Sequence, residues 1–120
     1  MIYSIMNQKG GVAKTTSTFN IGAILAEKGK RVLLVDLDPQ HSLTIALGID
    51  DELTKSIYNV ICEKEDINNV ILEVSENLYI APSNLELSIA ELQLVSMMAR
   101  ESILKKALDK VKDNYDIILI

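Results

Sequence analysis

The sequence predicts a three-layer α/β fold built on a mainly parallel sheet. Three observations carry that prediction. Short apolar runs of strand length alternate with longer stretches of helical spacing along the 120 residues. The first apolar run passes directly into a loop with paired glycines and then a helix, the opening of a strand–helix–strand unit. The chain ends on four β-formers, Ile117 to Ile120, after a polar turn, a pattern suited to a strand buried on both faces.

Taken in order, Ile2 to Met6 is the first strand, and a helix runs from about Lys14 to Lys28. Gly29 follows that helix as its left-handed stop, and Gly22 within it permits close approach to the sheet. Arg31 to Leu37 is the second strand, with Val32, Leu33, Leu34 and Val35 as an unbroken apolar run. Residues 42–47 and 53–63 have short helical patterns. Asn77 to Ala81 is a central strand stopped by Pro82. Residues 84–111 form a long helical stretch with a break near Ser96. Its apolar stripe runs through Leu85, Ile89, Leu92, Ile103, Ala107 and Val111, and Met97 and Met98 add core packing. The last strand, 116–120, is expected beside the first. No internal repeat or linker divides the chain.

Composition limits the functional classes. Hydrophobic residues make up 48% of the chain, enough for a core. Seventeen acidic against twelve basic residues give a net charge of −5, a poor balance for a nucleic-acid platform. The single cysteine, Cys62, excludes an intrachain disulfide and a cysteine-only metal cage, and reads as a small buried apolar side chain. No apolar run approaches the ~20 residues that span a bilayer, and no signal-peptide core follows Met1. A cytoplasmic protein is the expectation. A chain ending at Ile120 would put a charged carboxylate on a buried strand, so a longer protein is expected to continue beyond it.

The chemistry is concentrated in Asn7-Gln8-Lys9-Gly10-Gly11-Val12-Ala13-Lys14-Thr15-Thr16. A loop between a buried strand and a helix N-terminus offers unpaired backbone N–H groups at the positive end of the helix dipole. Gly10 and Gly11 let the backbone close around a phosphate. Lys14 is spaced to reach the β and γ phosphates, the Thr15 hydroxyl to ligate Mg²⁺, and Thr16 to donate to an α-phosphate oxygen. The general phosphate-loop pattern asks for glycine at positions 8 and 13, where this chain has Gln8 and Ala13, so that pattern alone fails. Asp36 and Asp38 leave the second strand at its C-terminal end, where open α/β sheets bind ligands. Alternation places both carboxylates on one side.

The run from Lys9 to Thr16, with a lysine ahead of two glycines, resembles the deviant P-loop of the ParA/MinD ATPases. Asn7-Gln8, Asp36-Leu37-Asp38-Pro39-Gln40, Ala81-Pro82-Ser83-Asn84 and Tyr115-Asp116 are similar to the ParA or Soj-type partition proteins in particular. The resemblance covers essentially the whole chain. It implies the three-layer P-loop NTPase fold, cut after the fourth central strand, with residues 1–120 as the N-terminal part of one ATPase domain about twice this length.

It further implies ATP and Mg²⁺ as ligands and ATP-dependent homodimerisation in chromosome or plasmid partitioning. The nucleotide-binding residues are then Lys9, Gly10, Gly11, Val12, Ala13, Lys14, Thr15 and Thr16. Lys9 matches the lysine that crosses to the partner subunit's phosphates; its alternative is a solvated loop lysine. Lys14 matches the phosphate lysine and Thr15 the magnesium threonine. Asp38 positions or deprotonates the attacking water, or instead caps the following helix. Asp36 supports the magnesium shell through water, or instead caps the following helix.

The resemblance also implies a ParB-like centromere-binding partner, nonspecific DNA contact through later parts of the domain, and a nucleoid-associated location without membrane attachment. Ala13 stands where relatives carry glycine, a cost of about 1 kcal/mol if that position needs φ > 0. His41 also replaces a glycine and receives no role. A MinD-like membrane-cycling ATPase and a non-catalytic nucleotide-binding module are the competing readings. An electron-transfer iron protein fails for want of cysteines.

Overall fold

The computed structural model describes residues 2–3, 11–37, 42–47, 55–83 and 97–120. Five strands form one sheet: β1 (Ile2–Tyr3), β2 (Val32–Val35), β3 (Leu72–Ser75), β4 (Leu78–Ala81) and β5 (Ile117–Leu119). Their spatial order is β1-β5-β2-β4-β3. All neighbours pair in parallel except β3, which runs antiparallel to β4 at one edge. Among the described residues four α-helices accompany them: α1 (Gly11–Glu27), α2 (Ser42–Ala46), α3 (Ile57–Glu63) and α4 (Met97–Asp109).

The topology explains why the helices cover both faces. From β1 to β2 the chain crosses β5 in one direction; from β4 to β5 it crosses β2 in the other. Both are parallel crossovers and therefore right-handed, so opposite directions place their helices on opposite faces. The side chains agree. Leu33, Val35 and Ile118 pack with Ile57, Val60 and Ile61 of α3 and with Leu104, Ala107 and Leu108 of α4. Val32, Leu34 and Leu119 pack on the other face with Ala26 of α1 and Leu43 of α2. Period-two alternation thus splits one apolar run between two cores. Each fully buried leucine of that run contributes about 1.5–3 kcal/mol.

Local chemistry sets the boundaries. At the end of α1 the Gly29 N–H donates to the Ala26 carbonyl and the Lys30 N–H to the Leu25 carbonyl, with Gly29 at φ 86°. That double closure needs a left-handed residue, which glycine supplies without a Cβ clash. A Cβ on Gly22 would sit 2.9 Å from Leu34 Cδ2, so the glycine does permit close contact with the sheet. Ser56 starts α3 as its N-cap, accepting from the Tyr58 N–H while its own N–H donates to Asn59 Oδ1. The expected helix over 53–63 therefore begins at Ile57, with residues 53 and 54 outside the described part.

Other expectations shift by small amounts. Helix α1 begins at Gly11 rather than Lys14, within the phosphate-loop motif itself. Asn77 is a turn residue with φ 65°, not the first residue of a strand. It closes a hairpin to β3, a strand the sequence did not reveal because Leu72-Glu73-Val74-Ser75 is largely exposed, at an edge, and interrupted by a register shift between Glu73 and Ser75. The buried stripe of α4 is Leu104, Ala107 and Leu108, with Val111 buried just beyond its end, while Ile103 is only half-buried. Leu85, Ile89, Leu92 and the expected break at Ser96 lie outside the described residues, as do the side chains of Met97 and Met98. Cys62 is partly buried against the α3–α4 core, and burial pushes its thiol upward in pKa. The last strand lies between β1 and β2, with Ile118 fully buried.

Candidate functional site

The parallel strands share one C-terminal edge, and the chain leaves β2 and β4 there with polar residues. Asp36 follows Val35, and Ser83 follows Ala81-Pro82. The Asp36 N–H extends the ladder by donating to the Ala81 carbonyl at 3.0 Å. Asp36 is only 4% exposed. A buried carboxylate is costly unless hydrogen-bonded. Asp36 Oδ2 accepts from the Thr44 N–H at 3.0 Å and from the Thr44 hydroxyl at 2.7 Å. The same hydroxyl accepts from the Ser83 N–H at 3.0 Å. Thr44 and Ser83 are fully buried.

The Thr44 N–H belongs to the first turn of α2, where helix donors lack intrahelical partners. Asp36 therefore caps the helix that follows β2 through its Oδ2. Ser42-Leu43-Thr44-Ile45-Ala46 is a short helical run, and nothing in its spacing marks a threonine as the residue turned inward. Ser83 belongs to the Ala81-Pro82-Ser83-Asn84 run, and its N–H contact to Thr44 exists only in the folded chain.

Helix α1 brings the second component to the same edge. A right-handed crossover runs its helix antiparallel to the strands, so the start of α1 lies at their C-terminal end. The first four N–H groups of a helix have no intrahelical acceptor; here they belong to Gly11, Val12, Ala13 and Lys14. The structure thus places the backbone of Gly11 to Thr16 and the carboxylate of Asp36 at one edge of the sheet. Ala13 has helical backbone, and the described residues with positive φ are Gly29, Lys64 and Asn77. Alanine at this position therefore carries no left-handed strain. Lys9, Gly10, Asp38 and His41 lie outside the described residues, as do the side chains of Lys14, Thr15 and Thr16.

The opposite edge carries a different cluster. Arg31, before β2, donates its N–H to Asp116 Oδ2 at 2.8 Å, and its guanidinium lies 5.3 and 5.6 Å from the rings of Tyr79 and Tyr115. Burial raises the Tyr115 pKa, opposed in part by Arg31. This cluster ties the entries of β2 and β5 together, away from the start of α1.

Comparison with known proteins identifies the arrangement. The AAA domain family model AAA_31 matches residues 1–120. The chain belongs to this ParA/Soj-type family. It is 46% identical over 121 residues to the sporulation initiation inhibitor protein Soj of Bacillus subtilis, covering 99% of this chain and 48% of that protein. A Mycobacterium smegmatis structure described as cobyrinic acid a,c-diamide synthase with bound ADP and magnesium is 42% identical. It superposes with a TM-score of 0.91 over 99% of this chain and 49% of that one. A plasmid partition protein from Borrelia burgdorferi is 34% identical with a TM-score of 0.85, covering 99% of this chain and 54% of that one. This ParA/Soj-type chain therefore spans about half the length of the relatives it matches. Among its described residues no helix is long and apolar enough to cross a membrane.

Proposed function

We propose that this ParA/Soj-type chain binds Mg·ATP at the C-terminal edge of its sheet and serves an ATPase that partitions chromosomes or plasmids by ATP-dependent dimerisation. The observation that carries the reading is the juxtaposition of the α1 start with the buried carboxylate of Asp36. Free N–H groups at a helix start favour an anion. Gly11 and Ala13 in helical backbone present those groups with little side-chain bulk. A carboxylate across from them suits a hydrated magnesium ion, which keeps several waters and takes few protein ligands. A similar M. smegmatis structure holds an ATP analogue and magnesium, which supports the same ligands here.

In this reading Lys14 neutralises the terminal phosphates, the Thr15 hydroxyl holds magnesium directly, and Asp36 holds its water shell. Magnesium, when bound, neutralises charge on the phosphates. Lys9 reaches the partner subunit's phosphates and stabilises charge that develops in the transition state. Asp38 orients the attacking water. A ParB-like partner and nonspecific DNA complete the proposed assembly. The test is phosphate release together with sedimentation in Mg·ATP, using the full-length protein and its Asp38→Ala variant. The proposal expects both to dimerise and only the former to release phosphate. Turnover by Asp38→Ala at the parental rate would remove Asp38 from the mechanism.

A further inference from the structure

We infer that Thr44 is a positioning residue for Asp36, and that through Ser83 it couples the magnesium side of the site to the exit of β4. The inference rests on the proposed Mg·ATP site and adds a residue to it. Three fully or nearly fully buried polar groups form one relay: the Ser83 N–H donates to the Thr44 hydroxyl, and that hydroxyl donates to Asp36 Oδ2. The Thr44 N–H donates to the same oxygen. A hydroxyl that accepts and donates at once has its proton direction fixed, so it must point at the carboxylate.

The relay joins three elements that are distant in sequence. Asp36 follows β2, Thr44 sits on α2, and Ser83 follows β4, 39 residues beyond Thr44. The Asp36 N–H also binds the Ala81 carbonyl, so the β2 and β4 exits are tied through backbone and side chain together. Two donors on Oδ2 restrict rotation of the carboxylate about its side-chain bonds. A carboxylate of fixed direction is what water-mediated support of magnesium requires. A valine at position 44 has nearly the same shape and keeps the backbone donor, but it removes the hydroxyl from both of its contacts.

The experiment compares the full-length protein with Thr44→Val and Thr44→Ser in two measurements. Amide exchange without nucleotide reads the Ser83 N–H, and Mg²⁺ titration of ATP binding reads the site. Thr44→Val should speed Ser83 exchange and raise the Mg²⁺ half-saturation about tenfold, with metal-free ATP binding nearly unchanged. Thr44→Ser should restore both. An unchanged Mg²⁺ half-saturation in Thr44→Val, with wild type binding Mg·ATP normally, would overturn the positioning role and leave the proposed function standing. Equal loss of metal-free and Mg²⁺-dependent binding would overturn it too, since that marks a general structural defect. Absence of Mg·ATP binding in wild type would instead overturn the proposed function, and this inference with it.

Discussion

The Thr44 hydroxyl donates to Asp36 Oδ2 at 2.7 Å across eight residues of sequence. That bond fastens the start of α2 to the end of β2 and leaves the buried carboxylate hydrogen-bonded. Its counterpart at the α1 start is a set of backbone donors belonging to Gly11, Val12, Ala13 and Lys14. The site is thus assembled from strand ends and helix starts, with the glycine at position 22 letting α1 settle on Leu34.

Removing the carboxylate should destabilise the fold as well as the site. Asp36→Ala leaves the buried Thr44 N–H and hydroxyl without this acceptor, at a cost of about 3 kcal/mol. Urea unfolding should show the loss in the absence of nucleotide. A change below about 0.5 kcal/mol would mean that the cap contributes little.

Ala13→Gly should not tighten nucleotide binding. Position 13 is helical, so glycine relieves no strain and instead loosens the helix start, costing up to about 1 kcal/mol. Affinity for Mg·ATP should stay level or fall a few-fold by calorimetry. A clear gain would show that the loop adopts a left-handed backbone there when ligand is bound.

Gly22→Val should destabilise by about 2 kcal/mol, because its Cβ would meet Leu34 Cδ2 at 2.9 Å in a filled core. Shortening the neighbour with Leu34→Val should return part of the loss. Additive costs in a double-mutant cycle would contradict direct contact.

The acid limb of stability should contain a contribution from Glu65. Its carboxyl is held below the ordinary range, first by the Asn69 side-chain hydrogen bond and then by Lys55. A lowered folded pKa means the contribution is present above the unfolded value of 4.5 and is lost as pH falls through the folded value. Asn69→Ala should therefore lower the urea midpoint slightly at pH 7, and the difference should shrink at an acid pH below 4.5. An equal difference at both pH values would assign the effect to something other than this carboxylate. The site is solvent-exposed, so the effect is small.

The fold was legible because its signals are local. Val32 to Val35 is apolar without interruption, as a strand buried on both faces must be, and Gly29 announces the end of α1. Edge strand β3 was not legible, since exposure removes the apolar pattern and a register shift breaks its alternation. At the site, the motif residues from Lys9 to Thr16 and the Asp36–Asp38 pair stand out through unusual spacing. Thr44 does not, because its importance lies in a contact with Asp36 and Ser83 that only the folded chain creates. The start of α1 was placed three residues late for a related reason: glycine and β-branched residues weaken the helical pattern where the phosphate loop becomes helix.

The most direct measurement is equilibrium binding of Mg·ATP to the full-length protein beside its Lys14→Ala and Lys9→Ala variants. Wild type should bind saturably, Lys14→Ala not at all, and Lys9→Ala with nearly intact monomer affinity, since its charge serves the partner's phosphates. Wild-type affinity surviving in Lys14→Ala would contradict the nucleotide site at the α1 start. Loss in Lys9→Ala as complete as in Lys14→Ala would make Lys9 an ordinary phosphate ligand of its own subunit.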